Sequence, residues 1–200
     1  MVLQHHLRFY REIFALPEFL SDPILCFGFQ EFQNGATLDG DNYVHLGEYF
    51  ATMGFRTTSL DLYDPRSDLR YDMNCKVPES EYERYGTFID IGSLEHVFDT
   101  RQCFENCLRM VRPGGHFLLH TPVNGYYAHG FHIFNPDCLR DGFEGNGFRL
   151  IYEKYSDIDG KLLDDPSVAG DNLAWMVARK ERSMGDFVCP QQRKWLTRYS

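Results

Sequence analysis

Glycines, carboxylates and imidazoles recur just past the apolar runs of this 200-residue sequence. The run Ile24–Phe29 (ILCFGF) ends around Gly28. FRTTSLDLY (Phe55–Tyr63) carries Asp61 and Leu62 near its end, Asp72-Met73 closes LRYDM, and YGTFIDIGS runs into Gly92-Ser93. A glycine at a strand end leaves bare backbone that a ligand can approach. A carboxylate past the second strand can accept hydrogen bonds from both hydroxyls of a ribose, which singles out Asp61. Its distance from Gly28 exceeds the roughly 20 residues of the dinucleotide fingerprint, which argues against a nicotinamide enzyme. His96, His120, His129 and His132 stand at strand ends or in the following loops, and imidazole is the side chain suited to taking a proton near neutral pH.

The elements that must position these residues alternate. An amphipathic leading helix is expected over His5–Leu20, within a leading segment 1–22, and Ile24–Phe29 reads as a strand buried on both faces. A helix over about Tyr43–Met53 stops at Gly54. Phe55–Tyr63 is the second strand, Leu69–Met73 a short third, and Tyr85–Ser93 a fourth. Asp99–Val111 is a helix with Asp99 and Gln102 as a capping box and Phe104, Cys107, Leu108 and Val111 on one stripe. Arg112-Pro113-Gly114-Gly115 is expected to stop it. His116–Thr121 is a fifth strand halting at Pro122. A helix near Pro136–Phe143 and strands Phe148–Lys154 and Leu173–Ala178 complete the series. The pattern calls for an α/β fold, a mostly parallel sheet with helices on both faces, whose last two strands form an antiparallel hairpin at the edge.

Composition narrows the partners. Apolar residues make up 43% of the chain and aromatic residues 16%, enough for one packed core, and we expect a single domain over 1–200 with a tail at 181–200. A formal charge of −9 argues against nucleic-acid binding, which needs a basic face. Arg8, Arg11, Glu12 and Glu18 interrupt the start of the chain, and no run reaches the roughly 20 apolar residues of a membrane span. The cysteines, Cys26, Cys75, Cys103, Cys107, Cys138 and Cys189, form no CxxC pair. A reducing cytoplasm is the expected location. The tail carries Arg182, Arg193, Lys194, Trp195 and Arg198.

Two stretches in order, FIDIGSLEHVFD (Phe88–Asp99) and FENCLRMVRPGGHFLLHTP (Phe104–Pro122), resemble the class I S-adenosylmethionine-dependent methyltransferases. The family shows an apolar strand, LEHV, a helix, a Pro-Gly-Gly stop and a strand ending near Pro. The resemblance implies a Rossmann-like fold with a seven-stranded, mostly parallel sheet. It implies S-adenosylmethionine as cofactor, held by Gly28 and Gln30 in the first loop, Asp61 and Leu62 at the ribose, Asp72 and Met73 at the adenine, and Gly92 and Ser93 under the methionine portion. Against the family's acidic residue and G-x-G-x-G, this chain has Cys26, Gly28, Gln30 and Phe32. Gln30 is expected to offer its amide to the cofactor's amino-acid end.

Methyl transfer is an in-line displacement, so positioning and water exclusion dominate. A hydroxyl or amine acceptor needs a base: His129 is the first candidate, with His96 and His132 beside it and His120 read as structural. Tyr126, Tyr127, Phe131, Phe134 and Asn124 could line a pocket for a small-molecule or glycan acceptor. HGFHIFNP (His129–Pro136) resembles a segment of bacterial methyltransferases, some of them tied to glycan pathways. His129, His132 and Asp137 are too generic a set for a metal, and none is expected. The eroded glycine pattern keeps one rival open, a catalytically silent methyltransferase-like scaffold, which predicts that Phe29, Gln30 or Phe32 fills the cofactor space. The sequence is silent on oligomeric state.

Overall fold

The computed structural model describes residue 2 and residues 7–33 and 35–191. His5 of the leading helix and Arg193, Lys194, Trp195 and Arg198 of the tail lie outside the described residues. The elements run α1 (Leu7–Phe14), β1 (Ile24–Phe27), α2 (Leu46–Thr52), β2 (Thr57–Leu60), β3 (Tyr85–Ile91), α3 (Thr100–Met110), β4 (Val111–Asn124), α4 (Pro136–Gly145), β5 (Phe148–Asp157), β6 (Leu162–Leu163) and β7 (Asn172–Lys180). One seven-stranded sheet has the order β2-β1-β3-β4-β7-β5-β6. β1 pairs parallel with β2 and β3, and β3 with β4. β7 is antiparallel to both β4 and β5. The expected antiparallel pair is therefore present, with the last strand threaded inside it, between β4 and β5.

Strand alternation divides the core between the two faces of the sheet. Leu25, Phe27, Phe88, Phe117, Leu119 and Met176 pack with Phe104, Cys107 and Leu108 of α3 and Phe143 of α4. Ile24, Cys26, Ile89, Ile91, Leu118 and Trp175 pack with Phe9, Tyr10 and Ile13 of α1 and Leu46 and Phe50 of α2. His120 belongs to this second layer: its ring stacks on Trp175 at 3.7 Å and its Nδ1 meets the Tyr10 hydroxyl at 3.2 Å. That is the structural role expected for it.

Four local expectations are corrected. Leu69–Met73 forms no strand; it contributes one isolated bridge, Leu60 to Leu69, and then turns through Asp72. Arg112-Pro113-Gly114 does not stop α3, which ends at Met110; these residues are an exposed bulge inside β4, where the register against β3 jumps from Tyr85–Val111 to Thr87–His116. β4 also runs past Pro122 to Asn124. Pairing with β3 ends at Ile91–His120, so the missing proline N–H falls where no β3 neighbour needs it. At the start of α3, Asp99 caps Gln102 N at 2.9 Å, but the Gln102 amide turns to Asn106 rather than back to Asp99. Only half of the capping box forms. Among the described residues no helix is long and apolar enough to cross a membrane.

Candidate functional site

The parallel strands β1, β2 and β3 end side by side, and the loops after them enclose a cavity of about 360 Å³. Open parallel sheets bind ligands at this edge, and the volume lies within the roughly 300–1,000 Å³ of small-molecule sites. Gly28, Gln30, Asp61 and Leu62 line it from one side, and Asp72, Met73, Gly92 and Ser93 from the other. Every residue expected at the cofactor thus borders one space. His96 also lines it, whereas His129 and His132 do not.

The floor is tied together by buried polar bonds. Gly28 turns with φ +83°, and its N–H donates to Leu60 O at 2.7 Å. A β-carbon on Gly28 would lie 2.8 Å from Ser93 Oγ and 3.1 Å from the Gln30 amide, so glycine is required by the protein's own side chains as well as by any ligand. Gln30, also left-handed at φ +51°, is buried. Its Nε2 donates to Phe27 O, to Ile91 O at 3.3 Å and to Ser93 Oγ at 3.3 Å, while Ser93 Oγ donates to Phe27 O at 2.9 Å. The amide expected to face a cofactor is a staple across the ends of β1 and β3. Beneath it, Asp90 accepts Ser93 N at 2.8 Å and Leu94 N at 3.1 Å, one on each oxygen. Burial, and then the charge of Glu95, holds the Asp90 carboxyl well above the usual range.

The outer wall rests on the loop after β2. Asp61 Oδ1 accepts Tyr63 N at 2.8 Å and Asp64 N at 3.1 Å, and Oδ2 accepts Phe29 N at 3.4 Å. Asp72 accepts the Asn74 side-chain amide at 2.8 Å and Asn74 N at 2.9 Å, and these bonds, the side-chain one foremost, hold its carboxyl below the usual value. Arg66 lies over the Phe29 ring at 4.1 Å and reaches Asp64 at 2.7 Å and Glu31 at 3.0 Å, latching the two loops together. Phe29 packs on His45, and Phe32 on Tyr43 within the core of α1 and α2. Cys26, at the family's acidic position, is buried away from the cavity, and burial pushes its thiol up to about 12.

Past Ser93 the chain turns through Leu94-Glu95-His96 and meets the loop after β4. The His96 and His129 rings lie 5.0 Å apart, Tyr126 stands 5.2 Å from His129, and His129 Nε2 is 4.0 Å from Glu95 Oε1. Glu95 O accepts Phe131 N at 2.9 Å and His132 N at 3.2 Å, and Gly130 eases the close passage of the loop, since a β-carbon there would crowd Glu95 O at 3.0 Å. Burial pushes the Glu95 carboxyl up to about 7, and partial loss of hydration where the loops meet draws the exposed His96 imidazole below its ordinary value, with His129 adding to the latter. The structure thus brings His96 and His129 together at the cavity rim. His132 points elsewhere: its Nε2 meets Phe98 O at 3.0 Å. Glu95 and Asp90 were inside the quoted motif without a role; an acidic side chain within or just after an otherwise apolar strand was the available signal.

No protein-family model and no curated protein sequence matches the chain. Solved structures do match. A 1,6-didemethyltoxoflavin-N1-methyltransferase from Burkholderia thailandensis, with 1,6-didemethyltoxoflavin and S-adenosylhomocysteine bound, aligns with TM-score 0.55 at 17% identity, over 89% of this chain and 79% of that one. A glycopeptide N-methyltransferase complexed with S-adenosylmethionine aligns with TM-score 0.53 at 14% identity, over 88% and 93%. A SAM-dependent methyltransferase from Methanosarcina mazei aligns with TM-score 0.52 at 13% identity, over 83% and 96%. At these identities the likeness establishes the fold: this chain has the class I methyltransferase fold.

Proposed function

We propose that the protein is an S-adenosylmethionine-dependent methyltransferase acting on a hydroxyl or amine of a small molecule or glycan precursor. The observation that carries this reading is the open cavity itself, bounded by Gly28, Asp61 and Gly92 with His96 on its rim. The silent-scaffold alternative required Phe29, Gln30 or Phe32 to fill that space. Phe29 instead packs on His45 at the cavity wall, Gln30 tucks its amide under the loop, and Phe32 packs against the core. Structural neighbours crystallised with S-adenosylmethionine or its demethylated product support the same cofactor.

The chain's own residues fit such a ligand. Asp61 and Asp72 offer carboxylates for ribose hydroxyls and an adenine amine, Met73 an apolar flank, and Gly92 (φ +72°) bare backbone. The cofactor would supply a methyl group on a sulfonium. Gly28, Ser93 and Asp90 hold the floor rigid, which serves a reaction governed by approach geometry. The loop carrying Tyr126 and His129 would cover the acceptor and exclude water, and the neighbouring imidazoles would give the acceptor's proton a destination. The neighbours that are N-methyltransferases favour an amine among the acceptors to be screened first.

Calorimetric titration with S-adenosylmethionine and S-adenosylhomocysteine tests the reading. One saturable site at micromolar affinity is expected, and no binding at millimolar ligand would overturn it. Asp61→Ala should weaken that affinity by about 1–3 kcal/mol. Asp61→Asn, which keeps an acceptor for Tyr63 N, separates loop support from ribose binding. Unchanged affinity in both variants would remove Asp61 from the site.

A further inference from the structure

The side chains at the rim form a set that the fold alone does not need. One ligating atom each from Glu95, His96 and His129 lies within 4.8 Å of the others. Glu95 supplies the decisive detail. Its side chain is only 1% exposed, its Oε2 accepts Thr121 Oγ1 at 3.2 Å, and its Oε1 has no hydrogen-bond partner among the described residues. A buried carboxylate oxygen without a donor costs free energy, and such an orphan calls for a missing partner. His129 Nε2 stands at 4.0 Å, beyond hydrogen-bond reach. Glu95 Oε1 also lies beside Gly92, a cavity-lining residue on which a β-carbon would approach it to 3.2 Å.

We propose that Glu95, His96 and His129 bind one divalent transition-metal ion, such as Zn²⁺, with coordination positions left open toward the cavity. Two imidazoles and a carboxylate are the donor set of open catalytic metal sites. Ligand bonds of about 2.0–2.2 Å would require donor separations of roughly 3.4 Å. Glu95 is fixed by Thr121 and by the loop hydrogen bonds to its carbonyl, whereas His96 and His129 are exposed and can swing inward about their side-chain torsions. The ion-binding half of the proposal stands by itself. Its use rests on the methyltransferase reading: an acceptor hydroxyl coordinated at an open position would release its proton more readily to solvent at the exposed rim, so the histidines would act as ligands in place of the direct bases described above.

The test is titration of chelator-stripped full-length protein with Zn²⁺ by calorimetry and with Co²⁺ by visible absorption. One ion per chain is expected, with a Co²⁺ spectrum lacking a thiolate charge-transfer band. Glu95→Gln and His129→Ala should each weaken binding at least tenfold while circular dichroism stays that of the parent chain. Because Cys75, Cys138 and Cys189 are exposed, a variant with all three changed to Ser should bind as the parent does. Absence of a stoichiometric site, loss of binding in the triple Ser variant, or retained affinity in both ligand variants would overturn the proposal. S-adenosylmethionine binding measured on the same samples separates the two readings: ion without cofactor sinks the function and keeps the site, and cofactor without ion does the reverse.

Discussion

Asp90 and Glu95 are two buried carboxylates on one short stretch of chain, and their surroundings differ completely. Both oxygens of Asp90 accept backbone N–H groups, from Ser93 and Leu94, and the Gln30 amide closes the turn above them. Glu95 has one oxygen on Thr121 and one with no hydrogen bond among the described residues, facing exposed imidazoles. The first region is a closed hydrogen-bond network that sets the shape of the cavity floor. The second is an open one at the rim. Satisfied buried polar groups rigidify a fold, whereas an unsatisfied one in the same fold is maintained against a cost. The contrast assigns support to the floor and ligand chemistry to the rim.

The largest expected effect breaks the floor. Asp90→Ala would leave the N–H groups of Ser93 and Leu94 without their acceptor, at about 1–3 kcal/mol for each. We expect urea unfolding to show a loss of about 3 kcal/mol or more. Glu95→Gln should cost less than about 1 kcal/mol, because it removes a desolvated charge and keeps an acceptor for Thr121. Equal losses in the two variants would erase the distinction between floor and rim.

The same contrast explains what was legible in the sequence. The strands showed as apolar runs because both faces of the sheet are covered, and Cys26, Phe88 and Leu118 follow that rule. The cavity was legible because strand ends in such sheets converge, so Asp61 and Gly92 needed only the right strands, whereas Asp72 reaches the cavity from a turn where a strand was expected. Gln30 was misread in its contacts: a residue at a glycine position suggests a ligand, but only the fold reveals that Ile91 O and Ser93 Oγ lie within reach. The His96–Glu95–His129 group is non-local, joining the turn after β3 to the loop after β4. Sequence spacing paired His129 with His132 instead. The bulge at Arg112–Gly114 escaped notice because a Pro-Gly-Gly run reads as a stop wherever it stands.

A second way to break the floor is smaller. Gln30→Ala removes the amide from Phe27 O, Ile91 O and Ser93 Oγ, and we expect about 2 kcal/mol of destabilisation in the same unfolding measurement. Gln30→Gly should recover roughly 1 kcal/mol of that loss, since the left-handed φ of +51° strains any side chain there. If the glycine variant were no better than alanine, backbone strain would not contribute at this turn.

The smallest expected effect sharpens the rim. His132 shares a loop with His129 and stood behind it as a candidate base in the sequence, and it bonds Phe98 O at 3.0 Å in an exposed setting. An exposed single hydrogen bond of this kind contributes about 0.5 kcal/mol or less. His132→Ala should therefore shift the urea midpoint barely, and it should leave the His129 ring in contact with His96. Chemical shifts of the imidazole C–H protons report that contact directly. Resonances of His96 and His129 that stay in place when His132 is removed would confine the rim chemistry to those two histidines and Glu95. A displacement of both would mean that the loop acts as one unit, with its outer anchor setting the position of the inner imidazole.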